Sequence, residues 1–295
     1  MRGRLLAFAA GCALAANAIA AQQAAIERGL SRAAPATSAS LKLKSHSAIV
    51  LDQEGQRVLY AKNDGSVVPI ASITKLMTAL VVLDSGEPLD EPIRIQKEDR
   101  DGLKGTRSRL SFGMTVSRDD LLRLALMSSE NRAAAALARA HPGGTPAFVA
   151  AMNAKAAELG MWHSRFVDGT GLSSGNVANA QDLARLVNAA YHHPLIREYT
   201  TDSEYTVRLA NGRKMRFTNS NRMVRSSAWD IGLSKTGYIR EAGRCLVLQA
   251  QIAATPVIIV LLDSWGQLTR IGDANRIKKW METRSSHHPA VYAPR

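Results

Sequence analysis

The spacing of apolar residues changes character twice along the chain, and each change marks a different kind of element. Ala48-Ile49-Val50-Leu51 and Arg57-Val58-Leu59-Tyr60 are short β-type runs separated by Asp52-Gln53-Glu54-Gly55-Gln56. That polar, glycine-containing connector predicts an antiparallel hairpin. From residue 71 the period becomes helical: Leu76, Leu80 and Leu83 fall on one face, Pro69 suits the start of the helix, and Gly86 and Pro88 stop it. Leu121, Leu122, Ala125 and Leu126 form a second helical face that breaks at Ser128-Ser129-Glu130-Asn131, after which an Ala-rich helix resumes to about Ala140. Thr145 reads as an N-cap with Pro146 in the first turn of a helix carrying Phe148, Val149, Met152, Ala156 and Leu159, stopped by Gly160. Another helix carries Leu183, Leu186, Val187 and Ala190 as far as Pro194.

Strand patterns then return. Tyr205-Thr206-Val207-Arg208-Leu209 and Lys214-Met215-Arg216-Phe217 flank Asn211-Gly212, a pair that takes positive φ readily and so predicts a hairpin turn. Residues 232–238, 245–251 and 256–262 are three further strand candidates, and a closing helix carries Ile271, Ile277 and Trp280. Strands at both ends with helices between predict a mixed α/β fold. Its antiparallel sheet is assembled from both chain ends and flanked by helices, with a helical lobe at roughly residues 84–200. No internal repeat is visible.

Composition narrows the function. The 295 residues are 46% apolar and 21% charged, enough to bury a full core. Lys and Arg number 38 against 25 Asp and Glu, a net charge of +13, which favours an anionic partner or surface. Aromatic residues make up 5% and do not interleave with the basic ones, so the charge is not expected to serve nucleic acid. Arg2 and Arg4 precede an Ala-rich apolar run over residues 5–16, and Ala18-Ile19-Ala20 supplies a small-x-small cleavage pattern, so residues 1–20 read as an export signal. The run is too short to span a bilayer and no later segment is long enough, so no transmembrane anchor is expected. Cys12, after Ala9-Ala10-Gly11, offers a lipoprotein alternative that leaves a very short apolar region. Cleavage after Ala20 leaves Cys245 alone within Cys245-Leu246-Val247-Leu248, where it reads as a small buried hydrophobe with no disulfide partner. Residues 21–43 are expected to be a linker, 44–284 the folded domain and 285–295 a tail.

Candidate chemistry lies in three places. Ser72 and Lys75 form the only Ser-x-x-Lys in the chain and open the first predicted helix, one turn apart on one face. A serine hydroxyl becomes nucleophilic when a neighbouring base takes its proton, and a lysine serves if burial or another cation lowers its pKa. Lys235-Thr236-Gly237, the only such tripeptide, lies in a strand-like run where Lys and Thr can hold a carboxylate and Gly lets a substrate backbone approach. Ser129-Glu130-Asn131 interrupts a strong helical pattern. The alternative Ser174-Gly175-Asn176 sits in a glycine-rich loop whose residues fit ordinary turns.

The ordered set Ser72-x-x-Lys75, Ser129-x-Asn131 and Lys235-Thr236-Gly237 resembles the penicillin-recognising serine enzymes, which include penicillin-binding proteins and class A β-lactamases. Longer strings carry the likeness further: residues 70–79, 126–131, Asp168-Gly169-Thr170-Gly171-Leu172 and 232–238. They look most like the low-molecular-mass D-alanyl-D-alanine peptidases, in particular the periplasmic endopeptidase branch of the penicillin-binding protein 7 type. The resemblance implies a β-lactamase/DD-peptidase-like fold with the site between sheet and lobe, in a periplasmic enzyme without a cofactor or metal. Its partners would be the peptide stems of peptidoglycan and, as covalent inhibitors, β-lactam antibiotics. Ser72 would attack the D-alanyl carbonyl with Lys75 as base, and Ser129 would relay a proton to the leaving amine. Asn131 would position the substrate amide, Lys235 would keep Lys75 neutral, Thr236 would bind the carboxylate beside Gly237, and backbone N–H groups of Ser72 and Tyr238 would form the oxyanion hole.

Cleavage of a cross-link between two stems and removal of a terminal D-alanine, the carboxypeptidase alternative, both fit these motifs. A class A β-lactamase needs a Glu-x-x-x-Asn between the second and third motifs, and Glu158, Glu198 and Glu204 are not followed by it. Intact Ser72, Lys75 and Lys235 argue against a non-catalytic wall-binding module. His192-His193 and His287-His288 are adjacent pairs without the i, i+4 spacing of a helical zinc site.

Overall fold

Continuous apolar runs in the central strands let one sheet carry helices on both sides. The structure, a computed structural model, describes residues 41–209 and 212–287. The expected export signal, Cys12, residues 21–40 of the linker, Asn211 and residues 288–295 of the tail lie outside the described residues.

The expected first hairpin is formed by β1 (Ser45–Asp52) and β2 (Arg57–Lys62). A short strand β3 (Val68–Pro69) and a 3-10 turn (Ala71–Ile73) lead into α1 (Thr74–Asp84). The lobe follows with β4 (Pro92–Arg94), β5 (Thr115–Ser117), α2 (Arg118–Met127), α3 (Asn131–Arg139) and α4 (Gly144–Glu158). It continues through β6 (Val177–Ala178), α5 (Ala180–Tyr191) and α6 (Pro194–Thr201). The hairpin β7 (Glu204–Arg208) and β8 (Lys214–Thr218) then precedes β9 (Asp230–Ile239), β10 (Gly243–Ile252), β11 (Thr255–Ser264) and α7 (Thr269–His287).

The main sheet has the order β2-β1-β11-β10-β9, with every pairing antiparallel, so both chain ends contribute as expected. Alternate residues of its strands point to opposite faces. Ala48, Val50, Leu246, Leu248, Ile259 and Leu261 pack with Ala274, Ile277 and Met281 of α7. Their neighbours Ile49, Leu51, Val247, Ile258, Val260 and Leu262 join the core shared with α1 and the lobe. Leu41 and Leu43, assigned to the linker, are each only 7% exposed and belong to the α7-side core, so packing begins by residue 41. Asp273 ties the two ends together: its buried carboxylate accepts from Ser45 N at 2.7 Å, Ser45 Oγ at 2.6 Å and Lys44 N at 3.0 Å.

Several local expectations are corrected. Every residue of α1 from Thr74 to Val82 is buried, because the helix is surrounded by α2, α3, α4 and α5 and not laid on one face; Leu83 is only half-buried. Pro69 pairs with Val177 as the edge of a two-stranded ribbon, and the 3-10 turn, not a proline, starts the helix. Gly143, not Thr145, caps α4, since Gly143 and Gly144 at φ +82° and +70° make the turn that Thr145 cannot. Pro194 both ends α5 and starts α6, where its missing N–H costs nothing. The lobe also contains the short strands β4, β5 and β6, and α7 extends to His287, into the expected tail. Gly212 takes φ +80° between β7 and β8, as the hairpin requires.

Candidate active site

Ser72 sits in the 3-10 turn that begins α1, and the turn is held in an uncommon conformation. Ala71 has φ +48°, a backbone state sustained only when its surroundings fix it. Ala71 O accepts from Thr74 Oγ1 at 2.8 Å, and Ile70 N donates to Asn176 O at 3.1 Å. Gly171, at φ +78°, packs so closely that a Cβ there would lie 2.0 Å from Ala71 O. The 168–176 loop therefore shapes the turn that presents Ser72.

One turn on, Lys75 is completely buried and its Nζ donates to Ser72 Oγ at 3.0 Å, Asn131 Oδ1 at 2.7 Å and Thr170 O at 2.6 Å. Burial lowers its pKa to about 7, against the opposing pull of Asp168 and Glu130. Three acceptors match the three N–H bonds of an ammonium. When the amine is neutral, two of them stay paired with Asn131 and Thr170 while its lone pair faces the Ser72 hydroxyl. The same geometry thus serves both protonation states, and only the Ser72 contact reverses direction.

Ser129 occupies the break between α2 and α3 with φ +61°, and its hydroxyl accepts from Lys235 Nζ at 2.9 Å. Glu130, the middle residue of that motif, is the N-cap of α3: its carboxylate accepts from Arg132 N at 2.6 Å and Ala133 N at 3.2 Å, and from the Ser108 hydroxyl. That capping places Asn131 at the first position of the helix, where its Oδ1 meets Lys75 and its Nδ2 donates to Thr106 Oγ1 at 3.1 Å.

The opposite wall is β9, an edge strand hydrogen-bonded only to β10 within the sheet. Lys235 is 1% exposed, and desolvation first, then the charges of Lys75 and Arg270, push its pKa well below the lysine range. Burial comes first in lowering both lysines, and their mutual repulsion acts in the same direction. Thr236 Oγ1 shares a 2.8 Å hydrogen bond with Ser220 Oγ. A Cβ on Gly237 would come 3.1 Å from Ser72 N and 2.9 Å from Ile70 O, so only glycine lets β9 approach the nucleophile's turn this closely. Tyr238 is 57% exposed at the mouth, with the Arg244 guanidinium 4.5 Å above its ring. The structure therefore brings Ser72, Lys75, Ser129, Asn131, Lys235, Thr236, Gly237 and Tyr238 to one cleft between the lobe and the sheet.

Sequence reasoning missed four participants. Thr170 acts through its carbonyl, which no side-chain pattern reveals. Asp168 organises that loop by accepting from Thr170 N at 2.6 Å, Gly171 N at 2.7 Å and Ser173 N at 3.1 Å. Ser220 reaches Thr236 from the end of β8, and Arg270 Nη1 is buried without a hydrogen-bond partner among the described residues, its charge felt at Lys235. The rejected Ser174-Gly175-Asn176 is a structural device: Asn176, fully buried, accepts from Val167 N at 2.7 Å and donates to Asp168 Oδ2 at 3.0 Å. Cys245 is fully buried and its thiol is pushed up to about 11, in keeping with an inert core position. A serine hydroxyl beside a buried amine whose pKa is near neutrality, faced by a second lysine–serine pair, is an arrangement that suits acyl transfer.

Comparison with known proteins agrees. A family profile described as D-alanyl-D-alanine carboxypeptidase matches residues 33–266. The chain is 49% identical over 243 residues to a D-alanyl-D-alanine endopeptidase of Pseudomonas aeruginosa, covering 82% of this chain and 78% of that one. It is 44% identical over 258 residues to a D-alanyl-D-alanine endopeptidase of Escherichia coli, covering 87% and 83%. The crystal structure of the Streptomyces K15 DD-transpeptidase superposes with a TM-score of 0.76 at 26% identity, covering 82% of this chain and 98% of that one.

Proposed function

The chain belongs to the D-alanyl-D-alanine carboxypeptidase family, serine DD-peptidases acting on peptidoglycan, and from that premise we propose that it is an endopeptidase cutting the D-alanyl bond that cross-links two peptide stems. The endopeptidase names of its relatives at 49% and 44% identity favour that bond over a terminal D-alanine. The observation that carries the chemistry is Lys75, completely buried, with a pKa of about 7 and its Nζ 3.0 Å from Ser72 Oγ.

In this reading neutral Lys75 takes the Ser72 proton as Ser72 Oγ bonds to the D-alanyl carbonyl carbon. The developing oxyanion is held by the backbone N–H groups of Ser72 and Tyr238, which the Gly237 approach draws together. Ser129 relays to the leaving amine the proton that Lys75 took from Ser72, which returns Lys75 to its neutral form, and Lys235 Nζ at 2.9 Å holds the Ser129 hydroxyl in place. Asn131 aligns the amide on the acyl side. Thr236 and Lys235 hold the carboxylate on the amine side. Water then attacks the ester and Lys75 again acts as base. The enzyme works outside the cytoplasm, exported by residues 1–20, and no helix among the described residues is long and apolar enough to cross a membrane. β-Lactams acylate the same serine.

The test incubates purified protein with fluorescent penicillin, cross-linked muropeptide dimers and pentapeptide monomers. Labelling that disappears in Ser72→Ala, and conversion of dimers faster than release of D-alanine, are expected. Dominant D-alanine release with persisting dimers makes the protein a carboxypeptidase, and full labelling of Ser72→Ala removes Ser72 as nucleophile.

A further inference from the structure

The segment that leaves β8 ties the two walls of the cleft together at its amine end. Ser220 N donates at 2.9 Å to the carbonyl of Met127, the last residue of α2 and two before Ser129, while the Ser220 hydroxyl lies 2.8 Å from Thr236 Oγ1 on β9. Its neighbours are buried and fixed. Asn219 Nδ2 donates to Thr200 O at 3.0 Å and Asp202 O at 2.7 Å, and Asn221 Nδ2 to Ser234 Oγ at 3.1 Å. Ser220 itself is exposed and Thr236 is buried. An anchored backbone therefore holds an exposed hydroxyl against a buried one.

Two hydroxyls carry two protons, and the bond between them uses one. Among the described residues each hydroxyl has the other as its only hydrogen-bond partner, so the second proton is left for a ligand. Which hydroxyl keeps it depends on that ligand, and here the inference rests on the DD-peptidase reading of the site. A carboxylate only accepts. If Thr236 gave its proton to Ser220, its oxygen would meet the carboxylate with lone pairs alone, and the two would repel. If Ser220 gives its proton to Thr236, the Thr236 proton points at the carboxylate, and the bond that Thr236 accepts strengthens the one it donates. Lys235 Nζ leaves the Thr236 hydroxyl free for this, since it donates to Ser129 Oγ at 2.9 Å and Thr236 O at 3.1 Å.

We propose that Ser220 is a positioning residue for substrate binding: its hydroxyl donates to Thr236 Oγ1 and so commits the Thr236 proton to the carboxylate on the amine side. A terminal D-alanine, a cross-link and a penicillin each present a carboxylate there, so all three depend on it.

The experiment measures the second-order rate constant of acylation by benzylpenicillin and by its methyl ester, which lacks the charged acceptor. Ser220→Ala keeps the backbone bond to Met127. It should slow acylation by the free acid about fivefold, in the range of one net hydrogen bond, and by the ester less than about twofold. Ser220→Thr should restore the acid. In a Thr236→Val background Ser220→Ala should cost nothing further, because no proton is left to orient. With pentapeptide monomers or dimers, whichever are cut, the loss should fall on KM, with kcat within about twofold. A serine that merely holds the walls together gives a different pattern: equal losses for acid and ester, a lower kcat as Ser129 shifts, and a further loss in the Thr236→Val background. Any of these, or an unchanged Ser220→Ala, overturns the assignment. The acid-to-ester ratio within one variant does not depend on how much of it folds. Failure of the DD-peptidase reading is visible in the wild type, which is then acylated by neither ligand, and the assignment falls with it.

Discussion

The two faces of the central sheet are buried to similar depth and filled with different chemistry. Toward α7 the strands present Ala48, Val50, Leu246, Leu248, Ile259 and Leu261, and the buried charge there, Asp273, is met by Ser45 and Lys44. Toward the lobe, the seam holds Lys75 and Lys235, both with pKa values driven down by desolvation, beside buried Asn176 and Thr236. A desolvated cation opposes folding. The contrast teaches that both faces bury an apolar core, and that only the lobe side sets part of its stability against desolvated amines beside a serine.

The sharpest way to break that comparison is Lys75→Ala. Acylation by penicillin should slow by ~10²- to 10⁴-fold, the loss typical of one general base, in stopped-flow fluorescence. A small change would mean that the buried amine is structural and the two faces are alike. Gly171→Ala comes next: its Cβ would lie 2.0 Å from Ala71 O at a residue held at φ +78°, so the Ser72 turn must move. About a tenfold slower acylation, with a lowered Tm, is expected from strain of a few kcal/mol shared between turn and loop.

A gentler probe leaves the sequence intact. Lys75 loses its proton at about pH 7 in the folded protein, so the neutral fraction, and the acylation rate, should rise about fivefold from pH 6 to pH 7 and then level. The unfolded lysine keeps its proton to about pH 10.4. Between these values the unfolded state binds more protons, so this residue's contribution to stability rises with pH, and urea unfolding across pH 7 to 10 reads it. An acylation rate that is flat from pH 6 to 8 contradicts the assignment of the base. The smallest effect on chemistry belongs to the other face. Ile277→Ala, in the α7 core, should cost ~2–5 kcal/mol in denaturant unfolding while acylation per folded molecule stays within about twofold. A larger drop would show that the faces are mechanically coupled.

Much of this was legible in the sequence because its signals are local. Ser72 and Lys75 are one turn apart, Lys235-Thr236-Gly237 is contiguous, and the short apolar runs in 245–251 and 256–262 mark strands. Ser129 could be chosen over Ser174 because a break in a helical pattern is itself a signal. What escaped was nonlocal or carried by the backbone. The Thr170 carbonyl has no side-chain signature, and Ser220 meets Thr236 only once β8 is placed. Likewise α1 reads as amphipathic because Thr74, Lys75 and Thr78 interrupt its apolar run. Its polar face is turned inward, onto the Gly169 and Thr170 carbonyls.

The strand order has a consequence for the timing of assembly. Ser45 on β1 pairs with Ser264 on β11, 219 residues later, so the first strand made must wait for almost the last. Closing so long a loop is entropically dear and slow to search. Nearly the whole chain must be synthesised before the sheet can close, and until β9 arrives nothing forms the wall opposite Ser72 and Lys75. A chain released before residue 235 therefore carries Ser72 and Lys75 without a cleft around them, and on the proposed mechanism such incomplete products are catalytically silent.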